Sequence, residues 1–419
     1  MTWTVGWNRW LWLTLFVALG LRLGLAFAVQ HEVSKTPGRL CLISGDAEGY
    51  WELAGHIAAG EDYSIFDPPR RLLRMPGFPA LLALPRSIFG NNPFAARILL
   101  AIVGTIACGL TYWLGRELAG EAVGVMAAAY TAVSPSMCLF SVLFLSETAF
   151  AAAMLGSLIA AAKLTRRKLE LRPSTSGPVG LATQTGALVG LATYMRPTWL
   201  LVGPGLSLLF LFYGNLSIRW KLTVSLVICL ALGIALAPWT VRNAWVTGHF
   251  VPTTLWVGPS LYDGLNPEAT GDSDMEFFEK DRLLQTMTEY EMDHEYRRRS
   301  WAFAIEHPQQ VMWLALVKQI RYWSPAPNSP QFDHPLIHAV AWLAYGPLIL
   351  LACLGAWYSR RDFWLLILTV APVFYFASLH LLFVGSLRYR LPAEYPLAVI
   401  AAIGLNRLAY NTQSAFSNH

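Results

Sequence analysis

The chain has 419 residues, of which 55% are apolar and only 14% charged, with a mean hydropathy of +0.43. That balance excludes an ordinary soluble domain and a disordered segment, and it indicates a polytopic membrane protein built of helices. The net charge of +5 is spread over loops, which speaks against a nucleic-acid footprint, and the five cysteines form no disulfide framework.

Apolar runs long enough to cross about 30 Å of hydrocarbon recur about ten times. They run from Trp10 to Val29, Phe94 to Leu114, Ala122 to Met137, Leu143 to Leu164 and Val179 to Tyr194. Further runs follow from Thr198 to Tyr213, Leu222 to Trp239, Pro335 to Tyr358, Phe363 to Val384 and Leu391 to Leu408. The first is expected to stay in place, since its apolar core is long. The basic residues Lys163, Arg166, Arg167, Lys168 and Arg172, then Arg219 and Lys221, then Arg360 and Arg361, all share one side if the N-terminus is cytoplasmic. The long connections then lie outside. This divides the chain into an N-terminal transmembrane catalytic module (1–240) with a first outer loop (30–93), an extracytoplasmic helical cap (241–334) and C-terminal transmembrane helices (335–419).

The first outer loop holds Asp46 and Glu48. From Ala47 the apolar residues Ala47, Tyr50, Trp51, Ala54 and Ala58 form one stripe of a short surface helix, while Glu48, Glu52 and His56 take the other face. Tyr50 and Trp51 are expected at headgroup level. In the plainest reading Asp46 is a helix N-cap and Glu48 an acid of the first turn. The same loop also carries Arg70, Arg71, Arg74 and the segment Met75-Pro76-Gly77-Phe78-Pro79, which opens a second surface segment, Ala80 to Phe89, too short to span.

Further along, Glu147 stands at the outer end of an apolar helix, where an acid is costly unless it meets a cation or a polar cavity. Arg196-Pro197 joins two helices on the same side, and Arg242 follows Pro238-Trp239 near another outer end. Arg388-Tyr389-Arg390 occupies a short outer loop where the positive-inside rule disfavours arginine. Planar guanidinium groups there suit a phosphate. The segment from Asp274 to Ile305 is charged and helix-prone, and Pro308 to Trp323 is expected to be a surface helix.

Taken in order, these motifs resemble the C-type membrane glycosyltransferases. The matching features are the acidic pair, Arg-x-Pro-Gly-Phe-Pro, the outer-end Glu147, Pro-Trp-x-x-Arg-Asn and Arg-x-Arg-x-Pro. The resemblance is to the branch with protein O-mannosyltransferases and aminoarabinose transferases, and it is strongest from Ile43 to Glu147 and from Ala237 to Pro392. It implies a sugar donor on a polyprenyl phosphate and an extracytoplasmic acceptor that is a lipid, a glycan or a protein. The catalytic acid would be at Asp46, a supporting acid at Glu147, and the second acid of the motif at Glu48. Arg74, Arg242, Arg388 and Arg390 become candidates for the donor phosphate, and Tyr50, Arg196 and Tyr389 for substrate contact.

The expected function is an inverting glycosyl transfer with Asp46 as base, in a multi-pass cell-membrane protein. No obligatory metal is expected, although a divalent cation at Asp46 and Glu48 stays open. The alternatives are a flippase for lipid-linked oligosaccharides and a polymerase or ligase using a diphosphate lipid. Neither nucleic acid nor a receptor role finds support in the sequence.

Overall fold

The computed structural model describes residues 7–43, 45–166, 177–213, 217–327 and 332–417; Arg167, Lys168 and Arg172 of the basic tract lie outside them. The described residues are helical, without a strand. Five helices are long and apolar enough to cross a membrane. They are α1 (Trp7–Ser34), α4 (Pro93–Ala119), α7 (Glu147–Arg166), α10 (Ile218–Thr247) and α16 (Pro335–Tyr358).

The other expected spans are shorter, broken or charged. The run from Ala122 to Met137 divides into α5 (Glu121–Val133) and α6 (Pro135–Phe140), because Pro135 has no N–H to donate and pushes Ser134 out of the helical region, to ψ 119°. The carbonyl that Pro135 cannot reach, Thr131 O, accepts instead from the buried Arg22 guanidinium at 2.9 Å, and Ala132 O accepts from it at 3.1 Å. A charge within α1 thereby completes a broken helix. Residues 179–194 fall within α8 (Pro178–Met195), and the next run is a 3₁₀ turn at Pro197–Trp199 followed by α9 (Val202–Tyr213). The run from Phe363 to Val384 is split into α17 (Phe363–Thr369) and α18 (Ala371–Leu379), with Pro372 just past the break. The last run lies inside α19 (Leu387–Ser417). Residues Ala393 and Tyr395 to Ile403 of α19 are buried all round, as expected of a central helix, and it touches α4, α5, α7, α16 and α18.

At one end of these helices sit α2 (Asp46–Ala59) and α3 (Gly77–Phe89), the two short helices expected in the first loop. The apolar stripe of α2 faces the protein and not the headgroups. Tyr50 meets Phe78 edge-on at 5.0 Å, and Trp51 stacks on Phe144 at 4.8 Å. Both rings are buried, which corrects the headgroup assignment.

Over the same end lie α11 (Val257–Gly264), α12 (Glu276–Lys280), α13 (Leu283–Thr286), α14 (Glu289–Glu306) and α15 (Pro308–Trp323). Thr288 and Glu291 form a capping box that starts α14. Glu289 then binds the first loop, accepting from the backbone N–H groups of Arg71 at 2.9 Å and Leu72 at 2.8 Å. In α15, Met312, Trp313, Leu316 and Ile320 form an exposed apolar stripe, while Leu314, Lys318 and Tyr322 are buried. That is the form of a helix lying in an interface.

Candidate active site

Gly45, at φ 84°, turns the chain into α2 in a region that favours glycine, and so places Asp46 at the first helical position. The Asp46 carboxylate is held between two arginines: Arg74 Nη2 donates to Oδ1 at 2.5 Å and Arg388 Nη2 lies 2.9 Å from Oδ2. Arg74 comes from the first loop and Arg388 from the start of α19. Burial alone would raise the Asp46 pKa, but the Arg74 and Arg388 charges outweigh it and hold the carboxyl well below the usual carboxylate range.

Behind this pair stands Glu147, the first residue of α7, with no exposed surface. Its Oε1 meets Arg388 Nε and, at 3.3 Å, Arg196 Nη1. Its other oxygen has no hydrogen-bond partner among the described residues. Three guanidinium groups thus surround two carboxylates, one positive charge in excess.

This cluster floors a cavity of about 260 Å³. Asp46, Arg74, Arg196, Tyr50 and Tyr389 all line it. Tyr389 stacks on His380 at 4.3 Å and lies under the Arg196 guanidinium, 5.4 Å from its ring centre. Met195, Phe150, Phe376 and Leu379 give the cavity an apolar flank. A more open depression of about 750 Å³, lined by Arg166, Arg361 and Arg407, holds none of the candidate residues.

Six of the expected site residues therefore converge directly on the cavity or on Asp46: Asp46, Arg74, Arg388, Arg196, Tyr50 and Tyr389. Glu147 does not line the cavity but pairs with Arg388 and Arg196. Three others are elsewhere. Glu48 is exposed and turns back to accept from the Gly45 N–H at 3.3 Å, capping the start of its own helix. The reason is geometric, since residues two apart on a helix do not face each other. Asp46 and Glu48 consequently offer no shared set of oxygens to a cation, and among the described residues no group of three His, Cys, Asp or Glu side chains is placed to hold one.

Arg242 is also removed from the cavity. Because α10 continues to Thr247 instead of ending at Trp239, Arg242 lies along it, donates to Arg71 O at 3.0 Å and stacks over Trp239 at 4.6 Å. Its neighbours serve the same docking: Trp239 Nε1 donates to Thr253 O at 2.7 Å, and the buried Asn243 donates to Val251 O at 3.0 Å. Arg390 is buried in the core, paired with Glu394 at 2.7 Å and donating to Tyr322 O and Ser324 O. Arg70 likewise bonds to carbonyls of the cap, Leu284 O and Met287 O.

Sequence reasoning missed the roof. Trp256, Ser260 and Asp263 of the α11 segment and His380 of the loop after α18 line the same cavity. Their only signal was a lone acid in an otherwise uncharged stretch, Leu255 to Asn266.

Residues 74–241 match a family model described as dolichyl-phosphate-mannose-protein mannosyltransferase, which takes in Arg74, Glu147 and Arg196 but not Asp46 or Arg388. No curated protein matches the chain by sequence. Among solved structures, the archaeal oligosaccharyltransferase AglB from Archaeoglobus fulgidus, in complex with an inhibitory peptide and a dolichol-phosphate, aligns with 100% of this chain and 52% of its own, at TM-score 0.60 and 16% identity. Its apo form aligns over the same shares at TM-score 0.61 and 17% identity. ArnT from Cupriavidus metallidurans, bound to undecaprenyl phosphate, aligns with 95% of this chain and 77% of its own, at TM-score 0.43 and 14% identity. The chain thus spans about half the length of the oligosaccharyltransferase it matches. It shares the fold of the archaeal oligosaccharyltransferase, and the stretch that matches the mannosyltransferase family model, residues 74–241, supplies one wall of the Asp46 cavity.

Proposed function

We propose that this protein transfers one sugar from a polyprenyl-phosphate donor to a hydroxyl of a lipid, glycan or protein acceptor, at the extracytoplasmic face of the membrane. The observation that carries this reading is the floor of the cavity, where three arginines and two acids leave a single positive charge unmatched. A sugar linked through a phosphodiester carries one negative charge and completes that balance. A diphosphate lipid carries more and leaves a surplus, so the monophosphate donor fits better than the polymerase or ligase alternative.

Donor binding and base activation are coupled. Arg74 and Arg388 hold Asp46 as a weak base at rest. Phosphate oxygens entering between them compete for the same N–H donors and loosen the carboxylate. Asp46 then accepts the proton of the acceptor hydroxyl. The acceptor oxygen forms its bond to the anomeric carbon, the bond from that carbon to the phosphate oxygen breaks, and polyprenyl phosphate leaves with the electron pair, stabilised by Arg74 and Arg388. Attack from the side opposite the phosphate inverts the anomeric centre. Glu147 keeps Arg388 and Arg196 aimed at the cavity, a positioning role. The binding of dolichol-phosphate by AglB is in keeping with a lipid-phosphate donor.

The test uses purified protein in liposomes with a crude membrane extract as acceptor, following loss of each of a panel of polyprenyl-phosphate sugars. Wild type should consume one donor, and Asp46→Asn should lower that rate by about 10²- to 10⁴-fold. Retention of more than about a tenth of the rate removes Asp46 as the base. If no donor is consumed while labelled lipid crosses the bilayer equally in both forms, a flippase replaces the transferase.

A further inference from the structure

The floor of the cavity accounts for the phosphate, and the roof has a different chemistry. Trp256, Ser260 and Asp263 stand four and then three residues apart, so they share one face of the α11 segment, and all three line the cavity. An aromatic ring, a hydroxyl and a carboxylate on one face are the groups that recognise a carbohydrate. The ring covers C–H surface and the carboxylate accepts from adjacent hydroxyls.

Asp263 is buried and serves partly as an anchor. Its Oδ2 accepts from the Ser273 hydroxyl at 2.7 Å and its Oδ1 from the Asp274 N–H at 2.8 Å. A carboxylate offers about four acceptor positions, so capacity is left over for the cavity it lines. The buried Lys318 ammonium supplies a nearby countercharge while donating to Leu382 O at 2.7 Å. The floor and the roof are therefore balanced separately.

The roof is also fixed in place. The Gly258 N–H donates to Asp293 Oδ1 at 2.6 Å, and a Cβ at Gly258 would come within 2.1 Å of Asp293 O. At the other end of α11, a Cβ at Gly264 would come within 2.3 Å of Leu382 O. Helix α11 is thus pressed against α14 and against the loop after α18, which keeps its face aimed. Trp256 is tied to the floor, its ring centre 5.2 Å from the Arg74 guanidinium carbon. The volume of about 260 Å³ is small for a ligand pocket and suits one sugar residue better than a glycan.

Resting on the transferase reading above, we infer that α11 is the sugar-recognition element of this site. The transferred sugar packs between the Arg74–Asp46 floor and the α11 roof, with the Asp263 carboxylate accepting hydrogen bonds from its hydroxyls.

The experiment compares wild type, Asp263→Asn and Ser273→Ala in liposomes. The substrates are the donor that wild type consumes and its monodeoxy analogues. A second readout measures binding of polyprenyl phosphate lacking any sugar. Asp263→Asn should lower kcat/KM for the full donor by about 10- to 100-fold. It should make no difference on the one analogue that lacks the recognised hydroxyl, and it should leave sugar-free lipid binding unchanged. Ser273→Ala, which removes one bond to the carboxylate from a residue that also lines the cavity, should lose clearly less than Asp263→Asn. Equal losses on every analogue, or an equal loss in Ser273→Ala, make Asp263 a fold anchor only and overturn the inference. If wild type consumes no donor while sugar-free lipid phosphate still binds, the transferase reading fails and takes the inference with it.

Discussion

Arg388 and Arg390 are two residues apart on α19, and their surroundings differ completely. Arg388 reaches Asp46 and Glu147 at the floor of the cavity. Arg390, only 1% exposed, is enclosed by Glu394, Tyr322 O, Ser324 O and the Tyr345 ring, whose centre is 3.7 Å from the guanidinium carbon. Two residues advance an α-helix by about 200°, so a pair with one spacing between them cannot serve one ligand once the helix forms. The first cluster keeps unmatched charge beside a cavity. The second is closed, with each guanidinium partner already part of the core. One arrangement suits catalysis and the other holds helices together.

The largest expected effect separates the two clusters by activity. Asp46→Asn should abolish most turnover, by about 10²- to 10⁴-fold, while the variant stays folded and its unfolding temperature in detergent falls only by the share that the Asp46 ion pairs supply. Next, Arg390→Ala should cost about 3–5 kcal/mol of stability by leaving Glu394 buried without its partner. Its surviving folded fraction should keep the wild-type kcat/KM. If Arg390→Ala instead unfolds normally and loses donor turnover, the division between the two clusters is wrong.

A smaller effect comes from pH. The folded-state pKa of Asp46 lies below its ordinary value of about 3.9, so its ion pairs stabilise the fold above that pH, and the contribution is lost as pH falls. The unfolding temperature should drop below about pH 4, and Asp46→Asn should flatten part of that drop. The smallest effect is at Glu48. Glu48→Gln can still cap Gly45, so it should cost under about 1 kcal/mol and leave turnover within about twofold. A large activity loss would return Glu48 to the reaction.

Much of this was legible in the residues. Apolar length and composition marked the long spans, and the spacing of Ala47, Tyr50, Trp51 and Ala54 marked α2. An acid at the apolar start of α7 identified Glu147. What stayed hidden was which way each element faces. The α2 stripe packs inward because Phe78 and Phe144 wait beneath it, and these come from two other helices. Arg242 left the site because α10 runs two turns past Pro238, with Asn243 and Trp239 held by the returning chain. Asp263 gave almost no signal, since its place over Asp46 depends on α14 and the loop after α18, far away in the chain.

The excess charge at the cavity floor also bears on how a turnover would end. On the proposed reaction, the leaving lipid becomes a phosphomonoester, with close to two negative charges at neutral pH, while Asp46 has taken up a proton. Product and site are then still matched, and the product stays bound. Loss of that proton to solvent upsets the match and repels the lipid. Deprotonation of Asp46 becomes the exit signal, so product release should slow as the medium is acidified, and a release rate indifferent to pH would count against it.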